Sequence, residues 1–235
     1  MKEVFIVSVS RTPIGSFGGS LSGFSATDLG ASSIRDAYTK INLDPNTIQE
    51  VFYGNVVQAN LGQAPARQAA IKAGLNKNVI TTTVNKVCAS GMKSVALAAQ
   101  SILLGQNDLI VAGGMESMTN APHLLPGSRT GVKYGSFEAL DHMAWDGLVN
   151  PYDKQAMGVF GELCADKHAF SREAQDAYAA ESVKRALAAQ ASGAFKAEIA
   201  PVTVAGRKGD VVIDSDDAVR PSELCELQLV GGWRA

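Results

Sequence analysis

Cys88 is the residue whose surroundings suggest chemistry. It lies between a β-branched stretch, residues 81–84, and a run that opens with Ala89-Ser90-Gly91-Met92 and continues Ala-rich to Leu104. A thiol at a strand-to-helix junction faces backbone N–H groups that have no partner inside the helix. It also faces the positive end of the helix dipole, a setting that favours the thiolate. Ala89 and Gly91 are small, so the turn can be sharp and an acyl group can approach the backbone. A strand–nucleophile–helix turn is one way to present a side chain for covalent catalysis. The local pattern alone leaves two readings open, an activated nucleophile and an inert buried thiol.

The other candidates are weaker. His123 lies in the loop-like Ala121-Pro122-His123-Leu124, His142 in Asp141-His142-Met143, and His168 beside Lys167 on an expected helix. Each reads as a surface or packing residue. Cys164, among Gly161, Leu163 and Ala165, reads as a small buried side chain. The three cysteines, Cys88, Cys164 and Cys225, are too far apart for a zinc site or a disulfide framework, so no metal is expected.

The elements that must position Cys88 alternate in type. Residues 4–10 form an apolar run of the kind found in a strand buried on both faces. A Gly-rich loop, 15–23, leads to a helix opening near Thr27-Asp28, with Leu29, Ile34, Ala37, Tyr38 and Ile41 on one face. A second strand is expected at 51–57, a small-residue helix at 65–73 stopped by Gly74, a third strand at 81–84 and a fourth at 109–112. This alternation predicts an α/β layered fold with a mostly parallel sheet and flanking helices. From about Thr119 to Asp153 no period persists, and so long an irregular stretch reads as functional or as a subdomain. Helices are expected over 156–170 and from an N-cap at Ser171 to Gly193, then short strands at 199–204 and 211–213. The expected organisation is an α/β domain at 1–118, a loop domain at 119–220 and an atypical tail at 221–235.

Composition narrows the function classes. Lys+Arg total 21 against 23 Asp+Glu, a formal net charge of −2, which offers no field for nucleic acid or an anionic membrane. The opening apolar run is too short for a signal-peptide core or a membrane span, no Arg-rich transit segment precedes it, and Trp233-Arg234-Ala235 is not a peroxisomal address. A reducing compartment, the cytoplasm, is the expectation.

Longer motifs carry a resemblance. Asn85-Lys86-Val87-Cys88-Ala89-Ser90-Gly91-Met92-Lys93 resembles the nucleophile segment of the thiolases, in the wording of the acetoacetyl-CoA type. Arg11-Thr12-Pro13-Ile14-Gly15, Gly54-Asn55-Val56, Ala64-Pro65-Ala66-Arg67-Gln68-Ala69 and Ala112-Gly113-Gly114-Met115-Glu116-Ser117-Met118 resemble the family in the same order. The resemblance runs from Val4 to about Arg220. It implies acetyl-CoA C-acetyltransferase activity, in which Cys88 takes an acetyl group as a thioester and its backbone N–H serves an oxyanion hole. Acetyl-CoA and acetoacetyl-CoA are the implied small-molecule partners. Coenzyme A is implied as part of substrate and product, with no tightly bound cofactor. Tyr152, Met157 and Arg220 fall at positions that contact coenzyme A in relatives. Arg220 suits phosphate geometry; its alternative is a solvated surface charge, and that of Met157 is core packing. Ala156 stands where many bacterial relatives carry a coenzyme-A-contacting histidine.

The family's Gly-His-Pro, Cys-x-Gly and Asn-Glu-Ala-Phe-like motifs are not in the sequence. The expectation is therefore the first half of a thiolase-like fold, the second half absent, with little turnover as an isolated polypeptide. It would form a homo-oligomer or associate with a full-length thiolase. The alternative within function is a non-catalytic truncated subunit. A condensing enzyme of the ketoacyl-synthase kind is disfavoured by the wording around Cys88.

Overall fold

The structure is a computed structural model and describes residues 3–217. Its centre is a three-stranded parallel sheet in the order β2-β1-β3, built from β1 (Glu50–Gly54), β2 (Ile80–Val84) and β3 (Ile110–Gly114). The register places Gly54 opposite both Val84 and Gly114, so the three strands end level at one edge. In parallel α/β sheets this carboxyl edge is where sites form.

Two helices cover one face of the sheet. Helix α1 (Ala26–Thr39) starts with a capping box in which the Ser25 hydroxyl accepts from the Asp28 N–H and the Asp28 carboxylate accepts from the Ser25 N–H. Helix α2 (Pro65–Lys72) starts with Pro at its first position, where a missing N–H costs nothing. Their small residues Ala31, Ala66, Ala69 and Ala70 pack with Ile34, Val51 and Tyr53 in the core. Burial of the Tyr53 phenol pushes its pKa up, opposed by its hydrogen bond with Ser33, so the ring stays neutral in the core. Helix α3 (Ser90–Leu103) covers the other face. It comes so close that a Cβ on Gly54 would sit 2.8 Å from the Gly91 nitrogen.

The expected first strand, residues 4–10, is a correction. The segment belongs to no strand, and Phe5 and Ile6 are 72% and 77% exposed. It lines, together with β3, a cavity of about 620 Å³ to which Leu29 and Ala37 of α1 and Ile41 just beyond that helix also contribute. An apolar run reports what a segment prefers to bury, not which surface comes within hydrogen-bonding distance. The apolar face expected on the first helix is cut short: Ile34 is in the core, while α1 ends at Thr39 and Ile41 beyond it is 40% exposed. The expected second strand, 51–57, pairs only as far as Gly54.

The irregular stretch after β3 contains a two-residue ladder, β4 (His123–Leu124) with β5 (Leu140–Asp141), and a π-helical turn at Ala144–Leu148. Helices α4 (Met157–His168) and α5 (Arg172–Ser192) follow. The latter runs from its Ser171 cap to Gly193, whose φ of +73° is the left-handed stop that glycine adopts readily. The hairpin β6 (Val202–Val204) and β7 (Val211–Ile213) brings the chain back to its beginning. There the Arg11 guanidinium forks onto Asp216 at 2.6 and 3.0 Å, reaches Glu198 at 2.7 Å and lies over the Phe195 ring. The fork holds the Asp216 carboxyl below its ordinary pKa. Among the described residues no helix is long and apolar enough to cross a membrane.

Candidate active site

The site is built on the turn that joins β2 to α3. Beyond Val84 the Asn85 carbonyl oxygen Oδ1 accepts the Val87 N–H at 3.0 Å. Val87 takes φ of +49°, a left-handed conformation rarely adopted by a β-branched residue. Ser90 holds this turn. Its hydroxyl donates to the Val87 carbonyl at 2.6 Å and accepts from the Lys86 N–H at 2.8 Å, while its own N–H donates to Val87 at 3.0 Å. Cys88 is thereby placed just before the Ala89 cap of α3, and it is exposed. Strain of this kind, held by surrounding hydrogen bonds, recurs at functional sites.

Cys88 opens on a cavity of about 420 Å³. Its walls come from Asn55, Val56 and Val57 after β1, from Met115 and Glu116 after β3, and from the π-helical turn. The Glu116 carboxylate accepts from Asn55 Nδ2 at 2.7 Å, Val56 N at 2.9 Å and Val57 N at 3.3 Å. His142 is buried. Its Nε2 accepts the Ala59 N–H at 3.1 Å, which leaves Nδ1 to donate to Asp146 at 2.7 Å. The ring thus pins the irregular stretch to the loop after β1, a packing role. Of the histidines, His123 and His168 are exposed.

Tyr152 and Met157 do not line the Cys88 cavity. Tyr152 lies on a loop closed at its base by the Val149–Ala156 bridge and is 94% exposed, and Met157 follows that loop as the first residue of α4, 48% exposed. Arg220 and Cys225 lie outside the described residues. Cys164 is a correction: it is exposed on α4, because that helix buries only Ala165 among the described residues. Small neighbours in sequence are not packing neighbours in space. Among the described residues no cluster of three or more His, Cys, Asp or Glu could hold a metal ion.

Sequence reasoning assigned no role to Glu116 or Asn55. The available signal was their place, a polar residue one position after β1 and two positions after β3 at the carboxyl edge of a parallel sheet.

Comparison with known proteins gives the family. The family model "Thiolase, N-terminal domain" matches residues 4–230. Acetyl-CoA acetyltransferase 1 of Arabidopsis thaliana is 52% identical over 229 residues, covering 97% of this chain and 55% of that protein. Acetyl-CoA acetyltransferase of Schizosaccharomyces pombe is 53% identical over 230 residues, 97% of this chain and 58% of its own. A Gibberella zeae protein named "Acetyl-CoA acetyltransferase ERG10, cytosolic" is 50% identical over 232 residues, 98% of this chain and 58% of its own. The chain thus spans about half the length of the curated relatives it matches, and it belongs to the thiolase family.

Proposed function

We propose that this chain carries the acyl-accepting part of an acetyl-CoA C-acetyltransferase, with Cys88 as nucleophile. The observation that carries it is the placement of Cys88 on a strained turn at the start of α3, open to a cavity large enough for an acyl group. In the first step the Cys88 sulfur attacks the thioester carbonyl of acetyl-CoA. A new S–C bond forms, the bond to the coenzyme A sulfur breaks, and coenzyme A leaves as its thiolate. The N-terminus of α3 and the Cys88 N–H favour the developing oxyanion. Tyr152, Met157 and Arg220 are the proposed contacts to coenzyme A, and the cytoplasm is the proposed location, in line with the name of the Gibberella relative.

Joining a second acetyl-CoA, to give acetoacetyl-CoA and coenzyme A, needs a base to remove a methyl proton. Among the described residues lining the cavity the ionisable side chains are Cys88 and Glu116, and Glu116 is engaged by three residues of the neighbouring loop. The 235-residue polypeptide is therefore expected to acylate without turnover at the rate of a complete site. A positioned base contributes about 10²- to 10⁴-fold. The experiment is incubation with acetyl-CoA followed by peptide mapping, alongside a thiolysis assay on acetoacetyl-CoA. Acetyl on Cys88 with slow thiolysis is expected. Acetyl on Cys164 with Cys88 free refutes the nucleophile, and fast thiolysis that vanishes in Cys88→Ala refutes the half-reaction.

A second reading, a non-catalytic subunit that docks on a longer thiolase or on its own copies, is favoured by a different observation. Met92 and Leu104 at the ends of α3 are 79% and 74% exposed, as are several apolar residues of 4–9. Apolar surface of this kind is what subunit contacts cover.

A further inference from the structure

Where β1 ends at Gly54 its ladder ends too, and the amides of Val56 and Val57 need acceptors from elsewhere. Glu116 supplies them. Its Oε2 accepts from Val56 N at 2.9 Å and Val57 N at 3.3 Å, and its Oε1 accepts from Asn55 Nδ2 at 2.7 Å and again from Val57 N at 3.3 Å. Asn55 is buried and held by its nitrogen, which also donates to the Met115 carbonyl, whereas its Oδ1 has no partner among the described residues. The orientation of Asn55 is thus set by Glu116 and Met115. The Asn55 backbone N–H donates to Val84 at the end of β2, the strand that continues to Cys88. The carboxylate therefore joins the segments that follow β1 and β3 beside the cavity, and the Asn55 backbone joins the first of them to β2.

Building on the acyl-transfer reading above, we propose that Glu116 is a positioning residue for Cys88 chemistry. By gathering Asn55, Val56 and Val57 it fixes the apolar wall against which a group attached to Cys88 lies. Hydrogen bonds to a charged acceptor are shorter and stronger than neutral ones, which suits a loop that must keep one shape beside a reactive thiol. With its oxygens taken up by these donors, the carboxylate holds the loop rather than exchanging protons with a substrate. From the other side His142 fixes the same loop through Ala59, so the wall is bracketed by two side chains of different segments. Gln in place of Glu116 would keep a carbonyl oxygen for the same amides, whereas replacing Glu116 by Ala removes both acceptor oxygens at once. The amides of Val56 and Val57 then seek water, and their side chains leave the wall.

The test compares alkylation of Cys88 by iodoacetamide and by its N-benzyl derivative in the 235-residue chain, read by peptide mapping well below the melting temperature. The two reagents share their chemistry and differ only in an apolar ring that needs the wall. Glu116→Ala is expected to lower the benzyl-to-parent rate ratio about tenfold, by displacement of the wall, and to leave the pH profile with iodoacetamide in place. A purely structural role lowers the melting temperature and leaves the ratio unchanged; that result overturns the proposal. Amide hydrogen exchange in the unsubstituted chain needs no variant to fold. Protected Val56 and Val57 amides support the clamp, and exchange as fast as in a free peptide overturns it. Labelling of Cys164 ahead of Cys88 in the unsubstituted chain overturns the acyl-transfer reading and this proposal together. An unchanged ratio with Cys88 labelled first overturns only the role of Glu116.

Discussion

Ser90→Ala removes one oxygen from the centre of the nucleophile turn. Ser90 is buried, and its hydroxyl makes two hydrogen bonds within four residues, to the Val87 carbonyl and from the Lys86 N–H. The Val87 carbonyl keeps the Ser90 N–H at 3.0 Å, so that loss is about 1 kcal/mol. The Lys86 N–H loses its acceptor, which costs about 1–3 kcal/mol if it stays dry. Ala at the first position of α3 returns roughly 0.5 kcal/mol through helix propensity. The sum is about 1.5–3.5 kcal/mol of destabilisation, or roughly 3–14 °C in melting temperature for a chain of this size. The same loss releases the strained φ at Val87, so Cys88 should also lose its fixed place before α3. Thermal melting followed by circular dichroism gives the first number, and the rate of iodoacetamide labelling at Cys88 in the folded variant gives the second. A melting temperature within about 1 °C of the unsubstituted chain, with an unchanged labelling rate, would refute the idea that Ser90 holds this turn.

Other expectations rest on different parts of the molecule. Gly54→Ala places a Cβ 2.8 Å from the backbone of Ser90 and Gly91, where nothing flexible can yield, and should cost about 1–3 kcal/mol or more. Gly30→Ala meets the Met115 side chain first and the Tyr53 ring at 3.1 Å, side chains rather than backbone, and should cost less when both variants are unfolded in urea. Asp216→Asn breaks the fork with Arg11 and should cost about 1.5–3 kcal/mol at neutral pH. Because the folded-state pKa of Asp216 lies below its unfolded value, the contribution is present above the unfolded value and disappears as pH falls through the folded one. The gap between the two proteins should therefore close below about pH 4 and be constant from pH 6 to 8; an equal gap at every pH counts against the pair. Light scattering should find the chain associated rather than monomeric, given the exposed apolar residues of 4–9 and of α3; a stable, monodisperse monomer would remove that reading.

Residue order alone was enough for those features that depend on local chemistry. The helix opening near Thr27-Asp28, the Ser171 cap and the Gly193 stop follow from groups within a few residues of one another, as does the turn at Cys88 between a β-branched strand and a small-residue helix start. Periodicity likewise placed α2, α3 and α5 within a few residues of their bounds, because a helix satisfies its own backbone. Partnership across the chain was beyond its reach. Residues 4–10 have the composition of a buried strand, yet their place was decided by how far β3 and the helices stand from them. Cys164 has the composition of a packed site, yet α4 turns it outward. Glu116, Asn55 and His142 look like ordinary polar residues of strand ends and loops. Only folding brings Glu116 of one strand end to the amides of another, and His142 to Ala59 across 83 positions of sequence. A side chain's hydrogen-bonding capacity is written in its type, but its partners are chosen by the tertiary structure, since a buried donor must find an acceptor wherever the packing puts one.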